Sequence, residues 1–209
     1  MTTVDTPPFA APAPPHVSAE TLSWAQTRAL IRSDLARIVA HNGGASGAAQ
    51  RVYYFLLPGM QAMFWFRLAR HAYVNGWRNL ARFISLLAMY LTRAEIPPTS
   101  SIGPSALIAH ATGVHVFGRA GARVTIQGDG GLGGGFGVED IGGGPGYPVL
   151  GDDVVVGFGA KVLGAVRLGD GVHVGPCTLV TTDVPDGGLV LWPKPRVMKG
   201  GAAAPEVRQ

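Results

Sequence analysis

Few groups in this chain could do acid–base, nucleophilic or metal chemistry: six histidines, one cysteine and thirteen carboxylates among 209 residues. Cys177, being alone, allows neither an intrachain disulfide framework nor a cysteine-based zinc cluster. We expect it to be a small packed residue. His115 falls on an outer strand face and His173 sits beside a turn. Neither has Cys, His or acidic partners at ligand spacing, so no metal site is expected. His41 and His71 have no chemical context. His110, within Ala109-His110-Ala111-Thr112-Gly113, is of the type that serves as a general base. A lone histidine is more often structural than catalytic. The glycine-rich run from Gly128 to Gly146 lacks the Gly-Lys-Ser/Thr ending of a phosphate loop.

The composition narrows the setting. Apolar residues make up 47 % and charged residues 14 %, which is too apolar for a disordered chain. The length fits one or two domains with a real core. Seventeen Lys and Arg against thirteen Asp and Glu leave a net charge of +4. No clustered basic face marks a nucleic-acid footprint. The excess favours an anionic small molecule or an acidic membrane surface. The N-terminus lacks the basic and apolar regions of a signal peptide. The longest apolar run, Val52 to Phe66, is interrupted by Pro58 and Gly59, so no spanning helix is expected.

Those chemical groups must be held by two kinds of structure. Residues 1–17 read as a disordered Pro/Ala-rich tail, 18–95 as a helical domain, 96–199 as a repeat domain and 200–209 as a second tail. In the helical part, Glu20 to Ala40 reads as one helix with Ser18 as its cap and Thr21 where a capping-box Glu would stand. Residues 42–47 read as a loop. Pro58 to Tyr73 and Arg78 to Thr92 read as two further helices. Their many aromatic and aliphatic residues suit packing against each other and other subunits. Arg67, Arg70, Arg78, Arg82 and Arg93 also suit a peripheral membrane surface.

After Ile96 the period becomes six. Ile102, Ile108, Val114, Ala120, Ile126 and Leu132 are aliphatic, and so are Leu150, Val156, Val162, Leu168, Val174 and Val180. The two blocks stay in phase. Positions four further on are mostly small or β-branched. A six-residue period fits neither a helix nor an alternating strand. It fits a β-helix in which each repeat is one short strand and one turn, three to a coil. The aliphatic residue points inward and the small one fits the corner. Gly128 to Gly146 reads as a loop thrown out of the coil.

These pieces in order resemble the serine acetyltransferases and related hexapeptide acyltransferases, including those of exopolysaccharide clusters. The resemblance runs from Leu30 to Lys199. It rests on IRSDLARI, PGMQAMFWFRLARHAYVNGWRNLARF, AEIPPTSSIG, AHATGVHVFG, YPVLGDDVVVGFGAKVLG and DVPDGGLVLWPKPRV. It implies a left-handed parallel β-helix behind an α-helical segment, an α+β chain. It also implies trimers or dimers of trimers with sites shared between subunits, acetyl-CoA as co-substrate, no metal and a cytoplasmic enzyme. By resemblance, His110 takes the acceptor's proton and Glu95 is its acidic partner. Gly157, Gly159, Ala160 and Gly164 lie where a pantetheine arm would run, their N–H groups facing its amides. Small residues there also suit a coil corner. Lys161, Lys194, Arg196 and Lys199 could hold the CoA phosphates, and Trp192, where relatives usually have Gly, could cover the adenine or narrow the cleft.

Three departures concern the acceptor. The serine-specific members carry Asp before the catalytic histidine, where this chain has Ala109. They carry an Arg-His pair where it has Gly146-Tyr147. A serine zwitterion would therefore be poorly paired. A phenol donates a hydrogen bond but is a weak base at neutral pH. A sugar, glycan or other non-serine hydroxyl compound is the expected acceptor. A serine enzyme with an altered pocket, a non-catalytic assembly subunit and a transferase of another acyl group stay open. Localisation at the inner face of a membrane also stays open.

Overall fold

The computed structural model describes residues 21–44, 47–135 and 146–193. The expected tails at 1–17 and 200–209 lie outside these residues, as do Ser18, Glu20, Lys194, Arg196 and Lys199.

Four helices come first: α1 (Trp24–His41), α2 (Ala48–Leu56), α3 (Pro58–Val74) and α4 (Arg78–Thr92). α1 starts later than its sequence suggested because Ser23, not Ser18, is the cap. The Ser23 hydroxyl accepts from Gln26 N–H and the Gln26 side chain accepts from Ser23 N–H, a complete capping box. α2 was not expected. Its apolar residues run without a break toward α3 in the sequence. Pro58 divides them by forcing Leu57 into an extended conformation.

The repeat half is a left-handed parallel β-helix. In chain order its strands are β1 (Ser101–Ile102), β2 (Leu107–Ala109), β3 (His115–Val116), β4 (Arg119–Ala120), β5 (Thr125–Gln127) and β6 (Gly131–Gly133). They continue with β7 (Val149–Leu150), β8 (Val155–Val156), β9 (Lys161–Leu163), β10 (Arg167–Leu168), β11 (His173–Val174), β12 (Leu179–Val180) and β13 (Leu189–Val190). Three faces result, in the orders β1-β4-β7-β10, β2-β5-β8-β11-β13 and β3-β6-β9-β12, with all pairs parallel.

All twelve aliphatic positions of the six-residue series are buried. Eleven of them lie in strands; Val114 does not. Val116 takes the third-face position of the first coil and pairs with Leu132. The turn after β2 is thus two residues longer than the period implies, and the turn after β3 two shorter. Thr112, four past Ile108, is correspondingly exposed instead of filling a corner. The glycine-rich segment also begins later than expected. Gly131–Gly133 is strand β6, paired on both sides. Ala120 and Leu150 are stacked neighbours thirty residues apart, so the insertion falls between β6 and β7.

A buried ion pair joins the two halves. Arg67 on α3 donates to both carboxylate oxygens of Asp34 on α1 at 2.9 and 3.1 Å, and to the carbonyls of Ile102 and Gly103. Asp34 also accepts from Ala106 N–H at 2.9 Å. Burial pushes the Asp34 carboxyl up; Arg67 and the backbone donors oppose this. Arg67, one of the arginines that also suited a membrane surface, is therefore an internal staple only 3 % exposed. Arg70 is half-buried and donates to Pro98 O. Arg78, Arg82 and Arg93 are exposed.

Candidate active site

His110 directly follows β2, and the helices fix where β2 lies. Asp34 and Ser33 hold the backbone N–H groups of Ala106 and Ser105. Gly59, in the first turn of α3, packs flat on β2. A Cβ there would overlap the carbonyl oxygen of Ile108, so only glycine lets α3 approach so closely. The Leu107 side chain, on the outer side of β2, joins a small core with Ile38, Tyr54 and Met60.

His110 has φ 62°, the left-handed region. The other left-handed non-glycine residues of the coil recur in stacked turns, as Ser105, Arg123 and Asp153 do. His110 instead stacks above Gly128, where a Cβ would lie 3.1 Å from the His110 Cβ and 2.9 Å from the Phe158 ring. Neither Gly128 nor Phe158 is left-handed. The strain belongs to the lengthened turn alone, and strained non-glycine residues concentrate where function needs them. Gly113 in the same turn has φ 70°, and a Cβ there would overlap the Asp129 carboxylate. Among the described residues the His110 ring makes no hydrogen bond.

The His110 side chain lines a cleft of about 420 Å³ between the two halves. Ala109 and Thr112 join it from the coil, His41 and Asn42 from the end of α1, and Tyr53 from α2. None of the lining residues is Asp, Glu, Lys or Arg. His41 had no chemical context in the sequence, and Asn42 and Tyr53 were not singled out there. No local motif marks them. They reach the cleft because α1 and α2 pack onto β2 through Ile38, Tyr54 and Leu107, and because Asp34 accepts from Ala106 N–H, 72 residues further on.

Glu95 is not brought to His110. Its side chain is exposed, and its backbone bridges His115, with Glu95 N–H donating to Val114 O at 2.8 Å and Val116 N–H to Glu95 O at 2.9 Å. It frames the exit of the lengthened turn, but no hydrogen bond joins its carboxylate to the imidazole among the described residues.

Tyr147 and Lys161 lie in a second cleft of about 550 Å³, on the β3-β6-β9 face. His115, Phe117, Leu132 and Leu163 line it with the backbone of Gly131 to Gly135. Tyr147 is exposed and stacks on Phe117, ring centroids 6.2 Å apart. The Lys161 ammonium donates to the carbonyl of Asp129. Gly146 has φ 123°, and a Cβ there would lie 2.9 Å from that of Ala165, so a longer side chain is disfavoured at this site.

The expected pantetheine contacts need correcting. The N–H groups of Gly157, Gly159, Ala160, Lys161 and Gly164 already donate to the carbonyls of Val174, Gly128, Gly157, Thr178 and Gly133. They are rungs of the coil and do not face outward. A Cβ at Gly157 would lie 2.7 Å from Val174 O, so close stacking accounts for that glycine. Trp192 is exposed near the last described residue. Cys177 is exposed, not packed. No group of three potential metal ligands occurs among the described residues.

Comparison with known proteins agrees with this architecture. Residues 147–182 match the family model described as bacterial transferase hexapeptide (six repeats). The chain is 38 % identical over 146 residues to serine acetyltransferase from Helicobacter pylori strain J99, covering 68 % of this chain and 82 % of that protein. It is 37 % identical over 139 residues to serine acetyltransferase from Mycobacterium tuberculosis, covering 66 % of this chain and 59 % of that protein. The crystal structure of native serine acetyltransferase 1 from Entamoeba histolytica superposes with a TM-score of 0.70 at 28 % identity, covering 80 % of this chain and 63 % of that one. The chain thus spans less than two thirds of that solved relative. On the Helicobacter match, whose length it covers by about four fifths, the chain belongs to the serine acetyltransferase family of hexapeptide-repeat acyltransferases.

Proposed function

We propose that the protein transfers an acetyl group from acetyl-CoA to the hydroxyl of a neutral acceptor bound in the His110 cleft. The imidazole of His110 takes the hydroxyl proton as the oxygen attacks the thioester carbonyl. The tetrahedral intermediate then collapses, the C–S bond breaks, and the proton passes to the departing thiolate to give free CoA. Glu95, at the exit of the same turn, is the carboxylate available to pair with the imidazolium once it forms. The second cleft, with Phe117 and Leu163 in its walls and Lys161 on its rim, suits the thiol arm of CoA. Lys194, Arg196, Lys199 and Trp192 follow as its phosphate and adenine contacts. His110 and Tyr147 line different clefts, which favours a trimer in which neighbouring copies complete each site.

The observation that carries the acceptor reading is that, among the described residues, no Asp, Glu, Lys or Arg lines the His110 cleft. A zwitterion placed there would find no ion-pair partner for its ammonium or its carboxylate among the lining residues. A sugar or other polyol brings only hydroxyls, which Asn42, Thr112 and Tyr53 can meet. The names of the relatives favour serine instead, and that is the second reading.

CoA release from acetyl-CoA, measured with L-serine and with a panel of neutral sugars, separates the two. We expect a sugar to exceed serine by roughly tenfold or more in kcat/KM, the scale of one or two lost charge contacts. Preference for serine would overturn the acceptor reading and leave the family assignment standing.

A further inference from the structure

α4 is built with its large apolar residues on the outside. It turns Ala81, Ala88 and Thr92 toward α3 and leaves Leu80, Phe83, Leu86, Leu87, Tyr90 and Leu91 exposed. Phe83 is 65 % and Tyr90 79 % exposed, and Trp77 at the cap of the helix is 58 % exposed. These residues recur at three- and four-residue spacing, so they form one stripe along the helix. A contiguous apolar surface of this kind marks a contact.

The charges around the stripe identify the partner. Between Asp34 and Glu95 the sequence holds seven arginines and no Asp or Glu. Arg67 is consumed by Asp34 inside the fold. Arg78 and Arg82 on α4 and Arg93 at its C-cap are exposed, and none makes an ion pair among the described residues. Apart from exposed Glu95, two residues past Arg93, the described carboxylates of the coil lie at its turns, where Asp152, Asp170 and Asp186 accept from backbone N–H groups. A symmetric second copy laid on α4 would bring the same arginines together with no carboxylate from either helix. An anionic lipid surface satisfies both features at once: acyl chains for the stripe and phosphates for the guanidiniums.

We propose that α4 is an interfacial helix that seats the protein on an anionic membrane surface. Phe83, Leu87 and Tyr90 enter the headgroup boundary while Arg78, Arg82 and Arg93 meet lipid phosphates. No helix among the described residues is long and apolar enough to cross a bilayer, so the contact lies on the surface. The proposal does not depend on the acceptor.

Flotation of the full chain with phosphatidylglycerol-rich and with pure phosphatidylcholine vesicles tests it. The protein is expected to float with the anionic vesicles only and to release at high salt. Arg78→Gln with Arg82→Gln should lower partitioning roughly thirtyfold, at about one kcal/mol for each arginine. Phe83→Glu with Leu87→Glu should abolish it. The arginine variant alters only exposed side chains, and an unchanged circular dichroism melt will confirm its fold. The proposal fails if the wild-type chain does not float. It fails equally if the arginine variant floats undiminished. Absence of flotation combined with loss of an oligomer in the Phe83/Leu87 variant would assign the stripe to a contact between copies instead.

Discussion

The coil and the helical half treat their large apolar side chains in opposite ways. In the coil, Val156, Val162 and Val174 point inward, each stacked on an equivalent residue one turn away. On α4, alanines face the neighbouring helix while Phe83, Leu87 and Tyr90 face outward. A hydrophobic pattern therefore locates a buried face only where the fold itself supplies the partner at a fixed offset. The β-helix does this every coil. The helices do it for α1 and α3, through Asp34 and Arg67, and not for the outer face of α4.

The largest stability loss should come from the seam between the two regions. Asp34→Ala removes one member of a buried pair and strands Arg67 beneath the coil, at about 3–5 kcal/mol. Urea denaturation will read this directly. An Asp34→Ala protein within a few tenths of a kcal/mol of wild type would mean that the halves are not coupled through this pair.

A sharper contrast pits one leucine from each region against the other. Leu132→Ala opens a cavity in the coil and should cost about 2–5 kcal/mol. Leu87→Ala, on the outer face of α4, should stay within about 0.5 kcal/mol in lipid-free buffer. Equal losses in the two melts would show that the α4 stripe is covered in solution.

The β-helix was legible because its period is a geometric requirement repeated in every coil. What broke that period was not legible. Val114 satisfies the series and Val116 does not, and only the pairing of Val116 with Leu132 shows where the turn gained two residues. Of the candidate site, His110 and the missing charges at Ala109 and Gly146 could be proposed from motif and resemblance. His41, Asn42 and Tyr53 could not, because packing over long sequence distances brings them to the cleft. The N–H groups of Gly157 to Gly164 were misjudged for a related reason: small residues signal close approach without saying whether a ligand or the next coil approaches.

The lengthened turn that holds His110 is the most functional-looking irregularity in the coil, and replacing that residue tests its role most directly. Asn tolerates a left-handed backbone, so His110→Asn keeps the turn while removing the base. With the acceptor that gives the fastest CoA release, we expect kcat to fall about 10²–10⁴-fold while the thermal melt stays unchanged. A folded His110→Asn protein that retains activity within a few-fold of wild type would contradict the assignment of His110 as the general base.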